Sequence, residues 1–319
     1  MNAAEAEALF GQMLDGGMSD EAIGAILVKM ANRGETAEEV AGAVRAMRAR
    51  MIPVSAPANA IDVCGTGGDG QHSLNVSTAV SLVVAACGVP VAKHGNRAAS
   101  SKAGTADTFE ALGLNLARAS EQASETLADI GIAFLFAQAH HPALARVAPI
   151  RKALGRRTIF NLTGPLANPA GVTRQLVGVA HPSLIALYRD AMQLLGAEAA
   201  LIVSGAEGLD ELSIAGTSYL AAIGLPNMPI EIRPDDAGLA PHPLEALRGG
   251  DATFNAAALR RLLLGEPGAY RDAVLFNAAG ALIVAGEVDN WLEGVEEAAE
   301  ALDKGLAKAL LDCWIECVK

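Results

Sequence analysis

The sequence predicts a small N-terminal α-helical domain followed by a larger α/β domain, whose central, mostly parallel sheet is flanked by helices. Three observations carry this reading. Within the first fifty or so residues, apolar side chains recur at helical spacing. At Ile61 the period changes, and strand, glycine loop, helix and strand follow within about thirty residues. That is a βαβ unit, which makes its two strands run parallel. Beyond it, short apolar runs alternate with helical stretches to the C-terminus, the pattern of an α/β chain.

The elements follow in order. Ser19 is placed as N-cap of a helix over 20–33, with Ile23, Ile26, Leu27 and Met30 at helical spacing and Gly34 as its stop. Thr36 and Glu39 form a capping-box pattern ahead of Val40, Val44 and Met47. Residues 52–60, with Pro53 and Pro57, read as a linker. The helical domain is therefore set at 1–58, joined by helices from about 142–162, and the α/β domain at 59–319. In the latter, a strand over 61–64, a helix over 76–87 and a strand over 89–92 come first. Further strands are expected at 133–136, 175–179, 201–204, 219–223 and 230–233, and helices at 182–195, 255–264 and 272–284. Residues 291–314 read as one long amphipathic helix.

Composition narrows the function. Of 319 residues, 51% are hydrophobic and 19% charged, the balance of a folded chain and the reverse of a disordered one. A net charge of -12 argues against a nucleic-acid or membrane-surface partner, since either needs a basic face. Such a protein meets an anionic substrate only by gathering cations locally or by importing metal. Cys64, Cys87, Cys313 and Cys317 are irregularly spaced among apolar residues, with no nearby ligand to complete a metal set. Free buried thiols in a reducing cytoplasm are expected. The acidic N-terminal stretch lacks the basic start of a signal peptide, and the apolar run 80–87 is too short to span a bilayer.

Chemistry concentrates in three places. Gly65, Thr66, Gly67, Gly68, Asp69 and Gly70 lie between a strand and a helix, where glycine lets backbone amides approach a phosphate. An ordinary tight turn is the competing reading. The dinucleotide and P-loop patterns do not match, and a carboxylate beside a phosphate nest needs a hydroxyl, amine or metal to contact. Asn75, Val76, Ser77 and Thr78 at the following helix start read on spacing alone as turn and cap. The odds change with Lys93, His94, Gly95, Asn96, Arg97, Ala98, Ala99, Ser100 and Ser101. This run sets cations, an amide and hydroxyls beyond the second strand, where open α/β sheets bind ligands. Asp210 and Glu211 follow the strand at 201–204. Adjacent carboxylates are usually a solvated pair, but in a phosphate enzyme they hold Mg²⁺.

Taken together, DVCGTGGDG, LNVST, KHGNRAASS, TADTFEALG, RTIFNLTGPLANP and GLDEL closely resemble the bacterial anthranilate phosphoribosyltransferases, from about Ile61 to the C-terminus. The resemblance implies transfer of a phosphoribosyl group from phosphoribosyl pyrophosphate (PRPP) to anthranilate in tryptophan synthesis, with Mg²⁺, two ions per monomer. It implies a PRPP site lined by Gly65, Gly68, Asp69, Ser73, Asn75 through Thr78, Lys93 through Ser101, and Thr105. Gly65, Asn96 and Arg151 would meet anthranilate, and Ser77, Asp210 and Glu211 would hold metal. His94 and His141 could line the amine channel, without being assigned as general acid or base; His72, His181 and His242 receive no role. A cytoplasmic homodimer, joined through the helical domain, is the family expectation. Ser73, Leu74, Thr105 and Thr163 depart from the commonest family pattern, yet no charged group is lost. A pyrimidine nucleoside phosphorylase-like enzyme and a non-catalytic nucleic-acid-binding relative are the alternatives. The first lacks the KHGN and RTIFN combination, and the second is opposed by the persistence of Asp210 and Glu211.

Overall fold

A computed structural model describes residues 1–98 and 102–319. The chain opens with three capped helices. Asn2 and Glu5 close a capping box on α1 (Ala3–Leu14). Ser19 Oγ accepts the Ala22 amide at the start of α2 (Asp20–Arg33), which Gly34 ends at a φ of 89°. Thr36 and Glu39 form the expected box on α3 (Ala37–Arg48). These helices bury Phe10, Met13, Ile23, Leu27, Val40, Val44 and Met47 in a layer shared with Ile150, Ile159 and Phe160.

The α/β part follows as β1 (Ile61–Gly65), α4 (Val76–Ala86), β2 (Val91–Gly95), α5 (Thr105–Leu112), α6 (Leu116–Glu121), α7 (Ala123–Asp129) and β3 (Ile132–Phe136). Next come α8 (Ala137–His140), α9 (Ala148–Leu154), β4 (Arg174–Gly178), α10 (Ile185–Leu194), β5 (Ala199–Gly205), β6 (Ser218–Ile223) and β7 (Glu231–Ile232). Four helices finish the chain: α11 (Ala252–Leu263), α12 (Ala269–Ala285), α13 (Trp291–Asp303) and α14 (Leu306–Cys317). The sheet order is β3-β2-β1-β4-β5-β6-β7; β1 through β5 are parallel, and β6 pairs antiparallel with both β5 and β7. Successive strand residues face opposite layers. Val63, Leu176, Leu201 and Val203 pack with α4 and α12, while Cys64, Val177 and Ile202 pack with α10 and the N-terminal helices. The chain winds outward from β1 through β2 to β3, then returns to place β4 on the other side of β1. Ligands of open α/β sheets settle at such a reversal, beyond the strand C-termini.

Several expectations are corrected. Residues 291–314 are two helices, because Gly305 takes a φ of 70° and turns the chain between α13 and α14. The strand at 230–233 shrinks to Glu231–Ile232; Pro229 and Pro234 flank it and have no N–H to extend a ladder. The second strand runs to Gly95, so Lys93 and His94 belong to the sheet. Helices α5, α6 and α7 have eight, six and seven residues, too short to display a clear period. All four cysteines are free, but only Cys64 is buried, and Cys313 and Cys317 are exposed on α14. Among the described residues, no helix is long and apolar enough to cross a membrane.

Candidate active site

The site begins with two glycines. Gly65 and Gly178 are register partners at the C-terminal ends of β1 and β4, and the 208–211 loop crosses directly over them. A Cβ on Gly178 would overlap the Asp210 carbonyl, and one on Gly65 would overlap its carboxylate. Only glycine at both positions leaves room for this crossing. Asp210 Oδ2 then accepts the Gly67 amide at 2.6 Å. Thr66 ties the same junction, donating its N–H to the Gly178 carbonyl at 2.9 Å and accepting the Ala180 amide on Oγ1 at 3.1 Å. Gly67, Gly68 and Gly70 all have positive φ.

Glu211 reaches the neighbouring helix, accepting the Ser77 amide in the first turn of α4 at 3.1 Å. The glycine loop, the start of α4 and the acidic pair thus meet. Burial, reinforced by Asp69, raises the Asp210 carboxyl from its ordinary value, and burial with Asp210 nearby raises that of Glu211. Crowded, desolvated carboxylates of this kind call for a cation. Among the described residues, no three His, Cys, Asp or Glu side chains gather into a metal set. Asp210 and Glu211 therefore fit a hard cation whose remaining ligands are phosphate oxygens and water, the way Mg²⁺ is commonly held.

Beneath this surface lies a buried polar layer. Lys93 is buried within the sheet and donates to the Val63 carbonyl at 2.7 Å. Its charge faces Asp62, Glu211 and Asp210 from below, and burial lowers its pKa. Asp62 accepts the His94 amide at 3.1 Å and the Asn168 side-chain amide at 2.8 Å. His94 Nδ1 lies 3.0 Å from the Gly164 carbonyl, and its ring stands 5.2 Å from that of His141. Burial pushes His94 down to about 3 and His141 to about 4, so both are neutral near pH 7. Their Nε2 atoms are buried without a partner among the described residues.

The loop after β2 is stapled by Asp107. Its Oδ2 accepts the Ala98 and Gly104 amides, and its Oδ1 meets Arg97, which also pairs with Glu110. Asn96 Oδ1 accepts the Arg97 amide at 2.8 Å. Gly95 lies against Phe134 and Thr105, and Thr105 Oγ1 accepts the Thr78 hydroxyl at 3.2 Å. Ala99, Ser100 and Ser101 lie outside the described residues.

Asn75 does not cap α4; it is a junction instead. Its Oδ1 accepts Thr108 Oγ1 at 2.6 Å and Asn255 Nδ2 at 2.8 Å, while its Nδ2 donates to the Ala103 carbonyl. Its carbonyl accepts the Tyr270 hydroxyl. Val76 is buried, so it offers a ligand only backbone. Ser73 pairs with Arg248 in an isolated antiparallel bridge. Arg151 is half-buried on α9 with its guanidinium 5.6 Å above the Phe160 ring centre. Asp62, Asp107, Asn168, Gly178 and Asn255 were not singled out from sequence. Asp107 lies in the quoted TADTFEALG and Asn168 in RTIFNLTGPLANP, whereas Gly178 and Asn255 gave no local signal.

Comparison with known proteins gives the class first. A helical-bundle model of the glycosyl transferase family matches residues 1–51, and its α/β-domain model matches 57–308. The anthranilate phosphoribosyltransferase of Novosphingobium aromaticivorans is 66% identical, over 100% of this chain and 97% of that protein. That of Sphingopyxis alaskensis is 65% identical, over 98% and 94%. The crystal structure of the Thermus thermophilus enzyme has a TM-score of 0.93 at 41% identity, covering 100% of this chain and 96% of that one. The Saccharomyces cerevisiae enzyme in complex with PRPP and Mg has a TM-score of 0.89 at 28% identity, covering 99% and 93%. The chain belongs to the anthranilate phosphoribosyltransferase family.

Proposed function

We propose that this enzyme, a pentosyltransferase of tryptophan biosynthesis, moves the phosphoribosyl group of PRPP onto the amine of anthranilate. The products are N-(5-phosphoribosyl)anthranilate and pyrophosphate. The observation that carries the reading is the convergence of Asp210 and Glu211 on the glycine loop and on the Ser77 amide. An acidic pair held there, at the sheet's reversal, suits a metal-bound diphosphate.

The anomeric C–O bond breaks with its electron pair leaving on pyrophosphate, and the amine nitrogen forms the new bond from the opposite face. The amine then gives up a proton to water or to the released pyrophosphate. Its lone pair is free beforehand, so no base is needed to start the reaction, and His94 and His141 are assigned no proton. When bound, Mg²⁺ neutralises charge on the departing diphosphate. The chain's own residues position the reactants. The amides of Gly67 and Ser77 fix the two carboxylates, and the loop stapled by Asp107 together with Ser73, Thr78 and Thr105 lines the phosphoribosyl side. Arg151, with no carboxylate partner among the described residues, suits the carboxylate of anthranilate. Two ions per monomer, a division at residues 1–58 and 59–319 with 142–162 joining the helical part, and a cytoplasmic homodimer complete the reading. The division is supported by the packing of Ile150 and Phe160 with α1, α2 and α3.

The test is direct. Purified protein with anthranilate, PRPP and Mg²⁺ should quench anthranilate fluorescence, and EDTA should stop it. Retained fluorescence, with phosphorolysis of thymidine or uridine instead, would replace this reading by the phosphorylase one.

A further inference from the structure

We infer that Arg248 is a further substrate-binding residue, its guanidinium holding a phosphate group of PRPP beside the glycine loop. The inference rests on the phosphoribosyl-transfer reading and deepens it. The segment 72–74, which leads from the glycine loop into α4, is paired with 247–249. Leu74 donates its N–H to the Leu247 carbonyl, and Gly249 donates to the His72 carbonyl, both at 2.8 Å. Between these two bonds Ser73 stands opposite Arg248.

Residues directly opposite in an antiparallel pair project from the same face. The neighbouring positions confirm which face is which, since Leu74 and Leu247 are both buried. Ser73 and Arg248 therefore share the other face, beside the glycine loop. Arg248 is exposed, and it makes no ion pair with any carboxylate among the described residues, unlike Arg97. The two cations that sequence placed at this site are otherwise engaged: Lys93 is buried under the sheet surface, and Arg97 is held by Asp107 and Glu110.

The backbone beneath Arg248 is fixed as well. A Cβ on Gly249 would stand 2.6 Å from the Ser73 carbonyl oxygen, so glycine permits the close approach of the two segments. Asn255 then accepts the Gly250 amide at 2.8 Å while donating to Asn75 at 2.8 Å. The guanidinium is thereby presented from a clamped position, and a planar fork of donors matches phosphate geometry.

Titration calorimetry with PRPP and Mg²⁺, on the full chain without anthranilate, tests this. Arg248→Ala should weaken PRPP binding about tenfold or more, the effect of losing one charge-assisted contact. Arg248→Lys, which keeps the charge but loses the planar fork, should recover only part of the loss, and the KM for anthranilate should stay within about twofold. The melting temperature should hold, because the side chain is exposed. Pyrophosphate and ribose 5-phosphate serve as separate probes; weakening of the first assigns the contact to the diphosphate, and of the second to the 5′-phosphate. PRPP binding within about twofold of the parent overturns the inference, as does an equal loss toward anthranilate. A parent protein that binds no PRPP overturns both this and the phosphoribosyl reading. One that binds PRPP but leaves anthranilate untouched overturns only the identity of the acceptor.

Discussion

Asp210 shows how one side chain is set by its neighbours. Its carboxylate rests where a Cβ on Gly65 would lie, takes the Gly67 amide, and faces Asp69 and Glu211. Without a cation this crowding is unfavourable, so replacing a charge should relieve the fold while harming function. Asp210→Asn and Glu211→Gln should each lower kcat/KM by about a hundredfold, as loss of several kcal/mol of metal assistance would. Thermal melts without Mg²⁺ should be unchanged or higher, and the rise on adding Mg²⁺ with PRPP should vanish. A double variant with full magnesium-dependent turnover contradicts the assignment. At the same scale, Arg151→Ala should raise the KM for anthranilate much more than that for PRPP. Steady-state kinetics with each substrate varied in turn decides it, and equal effects remove Arg151 from the amine site.

Among elements, the decisive contact is the passage of the 208–211 loop over the ends of β1 and β4. Gly178→Ala should fold with a penalty of roughly 1–3 kcal/mol for overpacking. Its kcat should fall on the order of a hundredfold, because an ångström of misplacement at Asp210 is enough. Denaturant melts and turnover measured together check this; full activity would show that the crossing has slack. The helix α4 is held differently, since Asn75, the residue that precedes it, is gripped by Thr108 of α5, Asn255 of α11 and Tyr270 of α12. Four elements are thus referred to one position, which keeps Ser77 in register with Glu211.

On the scale of the molecule, neutral histidines couple stability to pH. His94 and His141 sit at about 3 and about 4 in the folded protein against an ordinary 6.5. Their pKa values are depressed, so their contribution is fully present above pH 6.5 and is lost as pH falls through about 4 for His141 and about 3 for His94. The loss is on the order of 2 kcal/mol per histidine by pH 5. Asp210 and Glu211, raised in the fold, act in the opposite sense over the same range, so the informative quantity is a difference between variants. Urea midpoints at pH 7, 6 and 5 should fall less steeply for His94→Gln and His141→Gln than for the parent. Parallel slopes would mean that these rings are not buried neutral.

The sequence by itself determined what short-range chemistry and period can determine. Capping at Ser19 and at Thr36 with Glu39, the change of period at Ile61 and the parallel strands are local consequences of side-chain type and spacing. So are the motifs that identify the family, because the glycine loop, KHGN and GLDEL are contiguous. Only the tertiary structure decided that Gly178 must be a glycine, that Lys93 lies buried within the sheet instead of on its rim, and that Asn75 is a junction between elements and more than a turn residue. It also decided that Arg248 stands opposite Ser73. Each of these depends on a partner distant in the chain, such as Asp210 for Gly178 or Asn255 for Asn75. Neither propensity nor periodicity carries information about contacts between residues so far apart in sequence.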